Sequence, residues 1–222
     1  MSLDTFKELF VLELLPPDRK LVPFEKRPFY SLEKLTSGNR DSRDKRLALW
    51  YFEDRLKKKY QEFLMILEAL SKDTIDSTRN LAVRTMSELL SARPEQEQFL
   101  LTLLVNKLGD NSTKVATKVI YQLENLLKNH PQMKLIVTKE VERLIYRQNI
   151  GQKAQFYGVC FLSQIMLTAV ETDLAVKLID IYINLFKILV KKGQVGNRML
   201  KVLLTGTNRA FPYAKGVLFF RS

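Results

Sequence analysis

Thr78-Arg79-Asn80-Leu81-Ala82-Val83-Arg84-Thr85-Met86-Ser87-Glu88-Leu89 returns, 34 residues further on, as Ser112-Thr113-Lys114-Val115-Ala116-Thr117-Lys118-Val119-Ile120-Tyr121-Gln122-Leu123. The shift pairs Leu81 with Val115, Ala82 with Ala116, Met86 with Ile120 and Leu89 with Leu123. A small residue recurs at one position, where two helices would touch. A looser third copy, 38 residues beyond the second, aligns Ala154 with Ala116 and Phe161 with Leu123. Such a period is that of helical-hairpin repeats of the HEAT and armadillo type, in which stacked neighbours share a continuous core. The repeat therefore predicts an all-α solenoid over residues 41–222 instead of a closed bundle.

The flanking segments read the same way. From Asp41 to Leu70, Leu49, Phe52, Leu56, Tyr60, Phe63, Leu67 and Leu70 recur at steps of three and four, while Arg55, Lys58 and Glu62 fall elsewhere, so one helix face is expected to be buried. Further helices are predicted over Ser77–Ser91, Pro94–Leu108, Ser112–Asn129, Thr138–Tyr146, Gln152–Ala169, Glu171–Lys191 and Val195–Phe211, with Pro94 in a first turn. In Glu171–Lys191 two faces are apolar, as expected of a helix held between neighbours. Residues 1–40 differ: Pro16-Pro17, Pro23 and Pro28 leave room for one short helix near Asp4–Leu14 and then an extended arm laid over the first long helix. Only 8 glycines and 7 prolines punctuate the 222 residues, too few for the tight turns of an all-β domain.

Composition removes several classes of function. Hydrophobic residues make up 46%, enough to fold without staples, and one cysteine forbids an internal disulfide. No apolar run reaches the roughly 18 residues of a membrane span, since Lys177, Asp180 and Lys187 interrupt the greasiest stretch. Met1 to Phe10 lack the basic and apolar regions of a secretory leader. One histidine and one cysteine exclude the usual zinc ligand sets. There is no phosphate-binding glycine loop, and no cofactor or small-molecule substrate is implied. His130 follows a helix and reads as a solvated turn residue, Cys160 as a buried structural thiol, and Glu140 and Glu142 stand two apart, facing different ways. An enzyme is not expected.

Charge is the remaining lead. Thirty-six basic and 24 acidic residues leave +12, and residues 151–222 alone hold 10 basic and 3 acidic. Lys187, Lys191, Lys192, Arg198, Lys201 and Arg209 lie near the last helix-helix turn and are the candidate contacts to a polyanion such as RNA. The plain alternative is a solvated turn whose balancing acidic segments lie elsewhere in a longer chain. Lys57-Lys58-Lys59 fan around half a helix circumference and read as a wet face.

Two segments exceed ordinary helix chemistry. Ser37 to Glu53 leads from a turn through dense charge into Trp50-Tyr51-Phe52; its plain reading has Asp41 or Ser42 as cap and Arg43 and Arg46 paired to Asp44 or Glu53. Leu203-Leu204-Thr205-Gly206-Thr207-Asn208-Arg209-Ala210-Phe211-Pro212-Tyr213 reads plainly as a close helix crossing at Gly206 and a stop at Pro212. At these segments the sequence resembles the CCAAT-binding-factor domain family of nucleolar ribosome-assembly proteins. The second is similar to that family's Leu-Leu-Thr-Gly-Val-Asn-Arg-Ala-Phe/Tyr-Pro-Tyr signature, with Thr207 in place of valine. Val105-Asn106-Lys107-Leu108-Gly109-Asp110 also resembles a member of this family, so the likeness covers nearly the whole chain, although Lys215 to Ser222 match less clearly.

The resemblance implies a fragment of a larger HEAT-like scaffold of the nucleolus and nucleus. Such a scaffold would act without catalysis on early precursors of the large ribosomal subunit, contacting precursor ribosomal RNA and a second nucleolar-complex protein. Leu203, Leu204, Thr205, Gly206, Asn208, Arg209, Pro212 and Tyr213 would then serve packing or a partner surface. The family name also implies an alternative, a transcription factor reading CCAAT-box DNA. No recognition helix, basic zipper or zinc finger is apparent in support of it.

Overall fold

Helix periodicity is obeyed along the chain because each long segment has an apolar side to bury, and every regular element among the described residues is helical. The structure, a computed structural model, describes residues 2–193 and 196–218. Val195, the expected start of the last helix, lies outside the described residues, as do residues 219–222 of the tail. Two compact units divide the chain, Met1–Leu100 and Leu101–Ser222.

In the first unit, the Ser2 hydroxyl accepts from the Thr5 N–H (3.2 Å) and opens α1 (Leu3–Glu8), which runs into a π-helical turn, Leu9–Leu14, before Pro16-Pro17. Phe10 is buried there, 5.1 Å from the Tyr60 ring and 5.2 Å from that of Phe63. The arm continues through 3-10 turns at Phe24–Lys26 and Phe29–Ser31, each behind a proline, and a single turn, α2 (Leu32–Leu35). The long α3 (Arg40–Leu70) is capped by Asn39, not by Asp41 or Ser42. Asn39 has an extended backbone, so its Oδ1 reaches the free Asp41 N–H at 2.9 Å.

The expected apolar face of α3 holds only in its second half. Leu56, Tyr60, Phe63 and Leu67 are buried, whereas Leu49 and Phe52 are 62% and 54% exposed, and Trp50 and Asp54 turn inward instead. The cause is a change of partner along the helix. The first half packs under the arm, where Phe29 meets Trp50 edge-on at 5.6 Å and Asp54 accepts from the Phe24 N–H at 3.2 Å; α4 (Asp76–Ala92) covers another side. Glu53 takes Arg19 (2.9 Å) and Arg27 (2.5 Å) from the arm, so the expected pairing with Arg43 or Arg46 does not form, and Arg43 lies beside Asp44 (3.6 Å). Lys57 likewise leaves the wet face to meet the buried Glu95 at 2.6 Å, while Lys58 and Lys59 stay exposed. Glu95 also accepts the Leu21 N–H at 2.6 Å. With Glu95 pointed inward and Gln96 at φ 57, Pro94 is not part of a helix, and α5 (Glu97–Asn106) begins later than expected.

The second unit holds α6 (Thr113–Asn129), α7 (Lys134–Ile145), α8 (Gln152–Gln164), α9 (Thr172–Lys191) and α10 (Asn197–Leu218). Helix α8 packs against α6, α7 and α10, and α9 against α7 and α10. Ala82, Ala116 and Ala154 are all buried, as the repeat predicts, although Leu81 is exposed where its counterpart Val115 is buried. Close approach also shows at glycines: a Cβ on Gly206 would lie 2.7 Å from the Tyr182 ring, which is the tight crossing read from the sequence. Helix α8 stops at Gln164, short of Ala169, because Lys134 Nζ takes the Met166 carbonyl (2.7 Å) and Glu171 accepts the Thr168 N–H (2.8 Å). Pro212 does not stop α10. Buried Ala210 and Ala214 hold the helix on both sides of it, and Asn208, whose carbonyl loses its donor, lies on the exposed side where water can serve it. No helix among the described residues is long and apolar enough to cross a membrane.

Candidate nucleic-acid interface

Lys187 and Lys191 stand on the last turns of α9, Lys192 caps it, and Arg198 and Lys201 stand on the first turns of α10, so the end of one helix and the start of the next carry five cations. All five are exposed, and among the described residues none lies within ion-pair distance of a carboxylate. The sixth, Arg209, is separated from Arg198 by about 16 Å of helix rise, and its guanidinium rests 3.6 Å from the Met166 sulfur.

The signature on α10 divides by face. Leu203, Gly206 and Ala210 are buried, while Leu204, Thr205, Asn208, Arg209, Phe211 and Pro212 are exposed and Tyr213 is half-buried. The Thr205 and Thr207 hydroxyls donate to the carbonyls four residues back, Lys201 (2.8 Å) and Leu203 (2.9 Å). Asn208, Arg209, Pro212 and Tyr213 line a recess of about 230 Å³ with Ile165, Met166 and Leu167. A groove of about 580 Å³ adjoins it, floored by Leu127, Phe161 and Ile165 and edged by Lys128, Met166 and Arg209. Three signature residues therefore pack the helix and six shape an outer surface.

The groups weighed for catalysis occupy structural posts. Burial pushes the Cys160 thiol up to about 11, leaving little thiolate, though the residue is half-buried instead of fully enclosed. His130 is half-buried at the turn after α6. Glu140 accepts from the Thr102 hydroxyl (3.0 Å) and pairs with Arg143, whereas Glu142 pairs with Lys177 (2.7 Å), so the two carboxylates have separate neighbours. Burial raises Glu171, but hydrogen bonds from Lys134 and Thr168 hold it below the ordinary glutamate range.

Sequence reasoning missed the basic residues of α6. The side-by-side helices α6, α8 and α10 carry eight basic residues and one acidic, Glu124, against six and four on α7 and α9. On α6, Lys114, Lys118 and Tyr121 follow one another at steps of four and three, and the Lys118 ammonium lies 5.1 Å from the centre of the Tyr121 ring. That spacing was the available signal.

Along 97% of its length the chain is 53% identical to CCAAT/enhancer-binding protein zeta of Homo sapiens, covering 20% of that protein. Nearly the whole chain therefore has its counterpart within such relatives. Nucleolar complex protein 1 of Drosophila melanogaster is 37% identical over 91% of the chain and 17% of its own length. Ribosome biogenesis protein NOC1 of Chaetomium thermophilum is 32% identical over 90% of the chain and 24% of its own length. These names agree with the resemblance carried by Ser37–Glu53 and Leu203–Tyr213. The chain spans about a fifth of the length of the relatives it matches. No family model matches it.

Proposed function

We propose that the chain is a non-enzymatic scaffold segment in ribosome biogenesis, acting in the nucleolus and nucleus on early precursors of the large ribosomal subunit. In this reading residues 41–222 form a HEAT- or armadillo-like solenoid, with residues 1–40 as an arm upon it. Helix α7 packs against α8 and α9 against α10, each its sequence neighbour, which supports the solenoid. The signature's outer residues, Leu204, Asn208, Arg209, Pro212 and Tyr213, face a nucleolar-complex protein partner. Lys187, Lys191, Lys192, Arg198 and Lys201 contact precursor ribosomal RNA through its phosphates.

The observation that carries this reading is the set of five exposed cations free of carboxylates at the end of α9 and the start of α10. Phosphate contacts release counterions, so affinity must fall with salt. Replacing Lys191 and Lys192 together by alanine is expected to lower the slope of log affinity against log salt by about 1.4 to 1.8 units, for any RNA sequence. An unchanged slope favours the solvated turn. A preference for CCAAT-box DNA of roughly a thousandfold over random duplex, in competition at physiological salt, would replace the scaffold by the transcription factor.

A further inference from the structure

We propose that the outward face of α6 is a binding site for unpaired RNA, with Tyr121 as the platform on which a base stacks and Lys114 and Lys118 as contacts to the flanking phosphates. The inference rests on the polyanion reading above and takes it from charge to strand type. Tyr121 is 53% exposed on a helix whose other side, Val115, Ala116, Val119 and Leu123, is fully buried, so the ring lies outside the core. No apolar side chain shares its recess, a space of about 540 Å³ lined by Thr113, Lys114, Thr117, Lys118 and Tyr121. The exposed lining of that recess is mostly carbon, and its two lysines bring the ammonium groups that phosphate oxygens would meet. The Lys118 ammonium lies over one face of the ring, 5.1 Å from its centre, so a base takes the opposite face or displaces the ammonium, which then meets the adjoining phosphate.

The shape of the site selects the strand. A ring can stack only on a base whose face is open, which a single strand offers and a duplex hides along its length. An acidic peptide would satisfy the lysines and leave the ring without a role. The layer to which α6 belongs, with eight basic residues and Glu124 as its one acid, extends the same sign of potential along α8 and α10 and so favours a chain of phosphates over an isolated anion.

The test uses the whole 222-residue chain with a single-stranded oligoadenylate of about 12 nucleotides, an RNA duplex of the same length, and a polyglutamate competitor. Tyr121→Ala is expected to weaken single-strand binding about 5- to 150-fold, by the same factor at every salt concentration, because stacking releases no counterions. Tyr121→Phe should restore it, and duplex affinity should not move. Lys114→Ala and Lys118→Ala should each reduce the single-strand salt slope by about 0.7. Single-strand binding that survives Tyr121→Ala while Lys191→Ala/Lys192→Ala abolishes it would overturn this site and leave the polyanion reading standing. Absence of RNA binding by the parent would overturn both. Displacement of RNA by polyglutamate in a Tyr121-dependent way would assign the face to an acidic protein instead.

Discussion

Met1–Leu100 and Leu101–Ser222 contain the same number of cations, 18 each, but 17 acidic residues against 7, so the first unit is nearly neutral at +1 and the second carries +11. The difference decides what the cations do. In the first unit they are engaged across the fold: Lys7 with Glu88, Arg19 and Arg27 with Glu53, Lys20 with Glu97, Lys57 with Glu95. There, charge fastens an arm that its prolines keep from forming a helix of its own. In the second unit the acids serve mainly to fix α7, α9 and the loop after α8, leaving Lys114 and the cations at the ends of α9 and α10 exposed. Equal basicity thus yields a stapled unit in one case and cations without carboxylate partners in the other.

The first unit is the sharper test of that contrast, and its single tryptophan, Trp50, buried under the arm, reports on it alone. Lys57→Ala leaves Glu95 buried with only the Leu21 N–H as partner, and is expected to cost about 2 to 4 kcal/mol in the denaturant transition followed by Trp50 emission. A Trp50 transition that does not move would mean that the pair is ornamental.

Ala116→Phe probes the second unit, where packing instead of charge is expected to dominate. Forcing a ring into the fully buried Ala116 site should cost about 1 to 3 kcal/mol, seen as an earlier loss of helical circular dichroism. An unchanged midpoint would reject the close helix contact at that position.

Acid gives the smallest effect and the most local one. Hydrogen bonds from Arg19, then Arg27, hold the Glu53 carboxyl below the ordinary glutamate range. A depressed folded value means that the stabilisation is present above the unfolded value, near 4.3, and is lost as pH falls through the folded one. Because Arg19 is more than half exposed, the loss should be no more than about 1 kcal/mol. Emission from Trp50 should therefore shift between about pH 4.3 and lower values in the parent chain and not in Glu53→Gln. The same shift in both would place the acid response elsewhere.

Much of the fold was legible because helix periodicity is local. Leu56, Tyr60, Phe63 and Leu67 lie within a few turns of one another, and their spacing alone predicts a common face. Leu49 and Phe52 carry the same spacing and yet are exposed, since the arm, not α4, lies on that half of α3. The cap was misplaced by two or three residues because Asn39, Asp41 and Ser42 are all competent acceptors, and only backbone direction chooses among them. At the candidate site, the five cations at the end of α9 and the start of α10 were legible as a cluster in sequence, whereas Arg209 was grouped with them by number and is set apart by helix rise. Tyr121 was passed over because an aromatic at helical spacing ordinarily belongs to a core, and only its exposure distinguishes it.

By itself the sequence determined the all-helical class, the uneven charge and the family likeness at Leu203–Tyr213, all of which depend on residue type and short-range order. Tertiary structure alone decided who meets whom. Arg19 and Glu53 are 34 residues apart and Leu21 and Glu95 are 74, distances over which no periodicity carries information. Such partners are selected by which surfaces the packed helices leave within a few ångströms of each other. The exposure of Tyr121 and of six signature residues follows in the same way, from the faces that packing consumed and those it left open.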